Sequence, residues 1–520
     1  MIGEKVSLID DNGAPTGRKD IIFYNPPVVN KQLGIRKSYL LETKALARLF
    51  LENGIKSIIF ARSRLRTEIL LSYLKQVCGE KQEIRGYRGG YLPGERRKIE
   101  KGLRNGKITG VVSTNALELG IDIGRLDVCV MAGYPGTIAS TWQQAGRAGR
   151  RSRRSLALLV ASSSPLDQYI VNNPDFFFRQ PVESALINPN NLLILMDHIK
   201  CAAFELPFRD DENFGVETTH EILSYLEEQR IVKHSSGRWH WMAERYPAEE
   251  ISLRSASSDD FAVVDITREN NPRVIGRVDH FSAPTTIHTD AIYLHESKQY
   301  QVKELDWDGK KAYVKKVNVN FYTDANLAVD LRVLEGFDKK EINDIKIEQG
   351  EVVVTARATM YKKVKFNTHE NVGYGDINLP EVEMHSTAYW FSLPPAMESR
   401  LGKKGLENGL MGTANLLVNI APLYLMCDPG DIKPAVQIRS PHTSRPTIYL
   451  YDSYPGGIGM SEKLYRIHVN LLQEAANHLQ NCPCQNGCPA CVGPANEVGL
   501  EAKKSSLIII KEALKDEYQG

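Results

Sequence analysis

Ser113-Thr-Asn-Ala-Leu-Glu-Leu-Gly120-Ile-Asp122-Ile-Gly124, then a short apolar run, then Gln143-Gln-Ala-Gly146-Arg147-Ala-Gly149-Arg150, decides the fold of this 520-residue chain. Ile108 to Ser113 is apolar and predicts a strand that turns into a helical segment closing at Gly120. Asp127 to Met131 predicts a second strand, leading to a helix whose polar end carries Gln143, Gly146, Arg147, Gly149 and Arg150. The same alternation extends outward. Strand patterns occupy Asp20 to Tyr24, Ser57 to Ala61, Glu83 to Tyr87 and Leu156 to Ala161. Helical patterns begin at Leu41 and run over Thr67 to Val77 and Pro93 to Leu103. Such alternation predicts a parallel sheet covered on both faces. Ligands bind these sheets at the carboxyl ends of the strands, and Ser63, Arg88 and Thr114 all fall there.

Arg147 and Arg150 are three apart on a predicted helix and therefore share a face. Paired guanidiniums suit phosphoryl transfer, in which negative charge spreads over the γ-phosphoryl oxygens. A basic run from Arg147 to Arg154, taken alone, reads rather as a solvated helix end; the spacing of Gln143 and the glycines reverses that preference. The two blocks resemble motifs V and VI of superfamily 2 helicases, S/T-x-x-x-x-x-G-I-D and Q-x-x-G-R-x-G-R, which sit on the second of two RecA-like motor domains. The resemblance implies an arginine-finger pair in Arg147 and Arg150, with Gln143 in the same catalytic motif. It also implies a ribose contact from Asp122 and close backbone approach to ATP at Gly120, Gly146 and Gly149. Thr114 would donate to a nucleic-acid phosphate, which positions a strand without reading its sequence. Ser57 to Ser63 resembles motif IV, and Tyr87-Arg88-Gly-Gly with Arg96-Arg97 the adjoining motif, so Ser63 and Arg88 are expected nucleic-acid contacts. The basic helix from Pro93 reads either as part of that surface or as a solvated outer face.

A motor of this class also needs a P-loop, G-x-x-x-x-G-K-[ST], and an acidic magnesium-binding motif after a strand. Neither occurs here. Gly13 to Lys19 has two glycines and a lysine but no hydroxyl residue after the lysine, and Asp210-Asp-Glu-Asn follows no apolar strand. We therefore expect the first RecA-like domain to lie outside this chain, and ATP and magnesium to bind only together with it.

The length predicts about three or four domains, and the pattern changes accordingly. Residues 1–165 read as the RecA-like domain. Residues 166–248 are helical and end in a hairpin, Ile231 to His234 and Arg238 to Trp241, which predicts a winged helix. Thr218 and Glu221 predict a capping box there. Lys233, His234 and Arg238 could touch DNA, or the module could serve as a spacer; Trp239 and Trp241 could stack on bases or fill a core. Residues 249–365 carry short strands around Asn270-Asn271-Pro272 and Asp308-Gly309 turns, which predicts a small barrel. Residues 366–520 read as a C-terminal α+β domain. In it Asp452-Ser-Tyr-Pro-Gly-Gly-Ile-Gly is either an anion-cradling turn or a simple tight one. The fold class expected is thus α/β multidomain.

Cys482-Pro-Cys484-Gln-Asn-Gly-Cys488-Pro-Ala-Cys491 gathers half of the eight cysteines into ten positions. Four thiolates suit a closed tetrahedral zinc site with a structural role. An iron–sulfur cluster and two disulfides are the other readings, although C-x-C spacing strains a local disulfide. With a motor domain upstream, this terminus resembles the mitomycin repair factor A group of DEAD/DEAH-like helicases. That resemblance implies ATP-dependent 3′-to-5′ translocation on single-stranded or partly duplex DNA during repair. A stand-alone nucleic-acid-binding zinc protein with vestigial motor motifs is the alternative.

The net charge is only +2, so nucleic-acid affinity must come from local basic patches. No apolar run approaches the roughly 20 residues that cross a bilayer, and Met1 to Asn12 lacks the apolar stretch of a signal peptide. Scattered cysteines fit a reducing compartment. A cytoplasmic monomer is expected.

Overall fold

The computed structural model describes residues 5, 7, 9 and 17–514, apart from 80–81, 122, 125, 150–153, 184–187, 189, 250, 252–259, 269 and 343. Its first part runs β1 (Lys19–Tyr24), a small hairpin of β2 (Val28–Asn30) and β3 (Ile35–Arg36), α1 (Tyr39–Glu52), β4 (Ser57–Ala61), α2 (Arg64–Cys78), β5 (Ile84–Tyr87), α3 (Pro93–Arg104), β6 (Gly110–Ser113), β7 (Val128–Ala132), α4 (Ile138–Gly146) and β8 (Ser155–Val160). Six strands form one parallel sheet in the order β1-β8-β7-β4-β6-β5. Side chains alternate across it with period two. Ile59, Val112 and Val130 meet Leu40, Ala47 and Ile69 on one face. Ile58, Val111 and Met131 meet Ile99, Leu103 and Ile138 on the other. Ser113 pairs with both Phe60 and Tyr87, so the segments after β4, β5 and β6 emerge side by side. The helical segment expected before Gly120 is a single 3-10 turn, Asn115–Leu117. On α3 the outer residues Arg97, Lys98, Lys101 and Arg104 are exposed while Ile99 and Leu103 are buried.

Next come α5 (Pro165–Asn172), α6 (Pro174–Arg179), α7 (Leu192–Glu205), β9 (Phe208–Arg209), α8 (Thr219–Glu228), β10 (Val232–Ser235) and β11 (Arg238–Trp241), with a three-stranded wing in the order β10-β11-β9. Trp239 is buried among Leu223, Leu226 and Ile199, and Trp241 Nε1 donates to Ala243 O at 2.7 Å, so both tryptophans serve the module's own packing. The capping box does not form. Thr218 has ψ near 5° rather than extended and caps nothing. Its neighbour Thr219, fully buried, takes Phe214 N at 2.9 Å and donates to Val216 O at 2.7 Å instead.

β12 (Asp260–Asp265), β13 (Arg273–Asp279), α9 (Ala283–Thr286), β14 (Ile292–His295), β15 (Lys298–Asp306) and β16 (Lys311–Val317) follow, and the strands form a sheet ordered β13-β12-β16-β15-β14. Among the described residues this sheet is open rather than the expected barrel. Its edges are managed by the motor domain. On β13, Arg277 N donates to Gly90 O at 2.9 Å, and on β14 Ile292 and Leu294 join the core of α1 and α2. An edge covered by a neighbour needs no closure.

The rest comprises β17 (Phe321–Ile342), β18 (Ile345–Lys365), β19 (Asn371–Asp376), β20 (Val382–Ser392), α10 (Ala396–Leu425), β21 (Ile432–Gln437), β22 (Thr447–Asp452), α11 (Met460–Arg466), α12 (His468–Asn481), α13 (Ala495–Val498) and α14 (Ala502–Ala513). The sheet path is β17-β18-β20-β22-β21, with β19 on β18. The long β17–β18 hairpin thus belongs with the C-terminal sheet, and the structural boundary lies near 320 rather than 365. Local alternation could not reveal this, because β18 finds its partner β20 through pairs such as Val353↔His385. α10, α12 and α14 cover the sheet through Leu410, Leu417, Leu471, Leu479 and Ile510. The glycine-rich turn after β22 is filled from within: Asp452 Oδ2 accepts Ile458 N at 2.8 Å and Met460 N at 3.2 Å, and Asn191 Nδ2 donates to Pro455 O and Gly457 O. It is a tight turn, not an anion cradle. No helix among the described residues is long and apolar enough to cross a membrane.

Candidate functional site

The two diagnostic blocks fold into one unit. Thr137 caps α4 by accepting Ser140 N at 3.0 Å, which fixes the helix that carries the second block. Arg147, at the helix end, donates Nε and Nη2 to Glu118 O at 2.8 and 2.5 Å, and Nη1 to Ile121 O at 2.7 Å. Ser140 Oγ and Gln144 Nε2 donate to the Glu118 carboxylate at 2.6 and 2.9 Å. Gln144, which the sequence did not single out, is therefore a buried strut between the blocks. Gln143, Gly120 and Gly146 remain exposed on the outer side of this unit. Gly149 packs instead: it has φ +79°, and a Cβ there would fall 2.1 Å from Ser155 Oγ. Asp122 and Arg150 lie outside the described residues.

Ser63 and Thr114 sit at the carboxyl ends of β4 and β6 as expected. Ser63 is exposed and caps α2 by accepting Arg66 N at 3.2 Å. Thr114 is 8% exposed, and its Oγ1 accepts Ala116 N at 3.4 Å, which caps the 3-10 turn. Arg88 is different, and its expected nucleic-acid contact is corrected. It is 2% exposed, paired to Glu68 at 2.9 Å, and its Nη2 donates to Tyr293 Oη at 3.2 Å and Leu294 O at 3.0 Å. Its guanidinium lies over the rings of Tyr91 and Tyr293, 4.8 and 5.6 Å from their centroids. Burial disfavours its charge, but Tyr293, Glu68 and Tyr91 more than offset that and hold its pKa above the usual value. Arg88 fastens the motor domain to the five-stranded sheet.

A cleft of about 500 Å³ opens at the strand ends between the motor domain and the C-terminal segment. Arg62, Asn115, Glu118 and Ser140 line one wall, and Asp428, Asp431 and Tyr454 the other. Tyr454 Oη donates to Asp431 Oδ1 at 2.7 Å, and burial pushes the Asp431 carboxyl up. Arg62 is already paired with the buried Asp167 at 3.6 Å. Among the described lining residues carboxylates outnumber cations, so phosphate contacts made by those residues would rest on hydroxyl and backbone donors.

The four cysteines converge as read. Their sulfurs all lie within 4.8 Å of one another, with Cys482–Cys484 at 3.5 Å and Cys482–Cys488, Cys484–Cys491 and Cys488–Cys491 at 3.6 Å. A tetrahedron with Zn–S of roughly 2.3 Å has edges of about 3.8 Å, so one ion fits at the centre. The separations are far beyond a disulfide bond of roughly 2.05 Å, and all four cysteines are free. A multi-iron cluster would need room for sulfide and several metals between the thiolates. Lys503, 8% exposed, donates Nζ to Cys482 O and Cys484 O at 2.7 and 2.6 Å and ties the loop to α14. Against the site stands the β2–β3 hairpin of the motor domain: Gly34 has φ +62°, and a Cβ there would lie 2.6 Å from Cys488 Cβ.

Residues 42–152 match the helicase conserved C-terminal domain, 187–256 the winged helix domain of ATP-dependent helicase HRQ1, and 413–492 the MrfA Zn-binding domain. Over 515 residues the chain is 52% identical to the ATP-dependent helicase YprA of Bacillus subtilis, covering 98% of this chain and 68% of that one. The crystal structure of the DUF1998 helicase MrfA bound to DNA superposes with a TM-score of 0.74 at 53% identity, over 97% of this chain and 67% of that one. The chain belongs to the YprA/MrfA family of ATP-dependent DNA helicases. The ATP-dependent helicase HRQ1 of Saccharomyces cerevisiae, 31% identical, matches 98% of this chain, which spans 49% of that relative's length. The four cysteines all fall inside the matched MrfA Zn-binding domain, in agreement with the one-ion geometry.

Proposed function

We propose that this chain is the second motor domain and the accessory domains of a cytoplasmic 3′-to-5′ DNA translocase acting in repair, and that it hydrolyses ATP only together with a P-loop domain. The observation that carries this reading is the Arg147 clamp on Glu118 O and Ile121 O. It joins the two blocks into one rigid face on which Gln143, Gly120 and Gly146 are exposed. Leu119 (70% exposed), Trp142 (40%) and Phe178 (50%) are unusual solvent neighbours for such a face and suit a surface that a second domain covers. By resemblance, Arg150 and Asp122 would complete the nucleotide wall. Guanidiniums stabilise charge in a transition state, but in-line attack also needs magnesium and a held triphosphate.

The test is DNA-stimulated ATP hydrolysis by the chain alone and by the chain joined to a relative's P-loop domain. The expected result is background hydrolysis alone and stimulated hydrolysis when joined. In the joined protein Arg150→Ala should lower turnover on the order of 10³-fold with little change in DNA affinity. Robust hydrolysis by the chain alone, or an Arg150→Ala protein with unchanged turnover, would overturn the reading in favour of vestigial motifs.

A further inference from the structure

The strand-end cleft is acidic and the chain's net charge is only +2, yet one cavity is strongly basic. It lies at the rim of the five-stranded sheet, has a volume of about 270 Å³, and receives Arg268 from the β12–β13 turn, Arg273 from the start of β13, Lys298 from β15 and Lys316 from β16. We infer that this cavity binds a phosphate of the nucleic-acid backbone, and so gives the protein a DNA anchor away from the motor's strand ends. The inference rests on the reading of the chain as part of a DNA motor.

The cavity has a built floor. Tyr300 (2% exposed) and Asp265 (5%) are buried beneath the four cations. Asp265 Oδ2 accepts Nε and Nη2 of Arg273 at 3.3 and 3.1 Å, while Oδ1 accepts Thr267 N and Oγ1 at 2.9 and 2.5 Å. Among the described residues the one lining carboxylate is therefore turned inward, and it holds the Arg273 guanidinium by its Nε–Nη2 edge. Thr267 Oγ1 also accepts Lys316 N at 2.8 Å, which fixes the turn over the end of β16. Among the described residues no carboxylate pairs with Arg268, Lys298 or Lys316. Among the described residues, four cations around one satisfied carboxylate form a site for a small, highly charged anion, and a planar guanidinium held edge-on matches phosphate oxygens.

The anchor is also fixed to the motor. Arg88 bonds Tyr293 and Leu294 of the same sheet, and Arg277 N bonds Gly90 O. A phosphate held in the cavity would therefore keep its position relative to β4, β5 and β6 during any movement of another domain against this one.

The experiment measures the salt dependence of labelled oligothymidylate binding by the full chain and by Arg268→Gln/Lys298→Gln/Lys316→Gln. Each phosphate contact contributes about 0.7 to the slope of log affinity against log salt for single strands. The triple variant should lose roughly 0.7 from that slope, the value of one phosphate contact, and Lys316→Gln alone a part of it. Unchanged slopes in both variants would overturn the inference. Calorimetry with pyrophosphate separates the source of the phosphate. Binding of pyrophosphate by wild type and not by the triple variant, with unchanged DNA slopes, would reassign the cavity to a free phosphate compound and overturn the nucleic-acid assignment. If wild type itself bound no DNA, the DNA-motor reading would fail, and the pyrophosphate comparison alone would then decide the cavity.

Discussion

The Arg88 guanidinium meets the Glu68 carboxylate at 2.9 Å with both side chains 2% exposed or less. Glu68 joins two bodies through this pair: its Oε1 also accepts Tyr91 Oη at 2.8 Å, and its Oε2 accepts Ser297 N, from the turn between β14 and β15, at 3.1 Å. Removing one partner of a buried ion pair leaves the other charge uncompensated, which costs about 3–5 kcal/mol. Arg88→Ala should therefore lower stability by about that much, read by chemical denaturation. Arg88→Met with Glu68→Leu should recover a large part of it. Under conditions where the variant is folded, its DNA affinity should be close to wild type. A selective loss of DNA binding in a folded Arg88→Ala protein would reinstate Arg88 as a direct contact.

Zinc should bind in a ratio of one ion per chain, read by elemental analysis of freshly reduced protein. Cys488→Ser removes a ligand of a closed site and should release the metal and loosen the segment around α12 and α14, while the motor domain stays folded. Gly34→Val, on the motor side of the same contact, should raise the rate of zinc loss to a chelator, because its side chain would enter the space of Cys488 Cβ. Iron with visible absorbance, or equal zinc retention in Gly34→Val, would count against these assignments.

Arg147 reaches two carbonyls with three nitrogens, which a lysine ammonium cannot reproduce in the same plane. Arg147→Lys should increase amide exchange over residues 115–121 and leave the global unfolding midpoint nearly unchanged. Equal protection of that loop in wild type and variant would show that Glu118, through Ser140 and Gln144, holds the two blocks together without Arg147.

His468, fully buried, shares a hydrogen bond with Tyr389 Oη, and burial lowers its pKa to about 3. The unfolded chain binds a proton at this residue near pH 6.5 and the folded chain does not. Its contribution is thus complete above about pH 6.5 and is lost as the pH falls toward about 3, with a slope of up to roughly 1.4 kcal/mol per pH unit. His468→Gln keeps an acceptor for Tyr389 but does not titrate. Denaturation midpoints measured between pH 7 and about 5 should fall less steeply for His468→Gln than for wild type. Parallel curves would show that His468 does not control the acid sensitivity.

The sequence by itself determined the motor sheet, the position of both diagnostic blocks on it and the convergence of Cys482, Cys484, Cys488 and Cys491. All of these are written in local period and spacing: strand runs flanked by helices must lie parallel, and four thiols within ten residues cannot stray far apart. The winged hairpin was legible for the same reason. Only the tertiary structure decided which side chains are free to act. Arg88 stands after a strand in a family-like motif, but Tyr293 and Leu294, some 200 residues further on, take up its donors. Gln144 is a strut and Gln143 is exposed, a difference set by where Glu118 lies. The glycine-rich turn was ambiguous until Asp452 was seen to fill it. Likewise β17 and β18 read as part of the preceding strand-rich segment until their pairing with β20 assigned them to the C-terminal sheet. The basic cavity is assembled from three separated stretches whose cations only the sheet order brings together. Backbone pattern is fixed by neighbours in sequence, whereas the partner that satisfies a buried charge is fixed by neighbours in space.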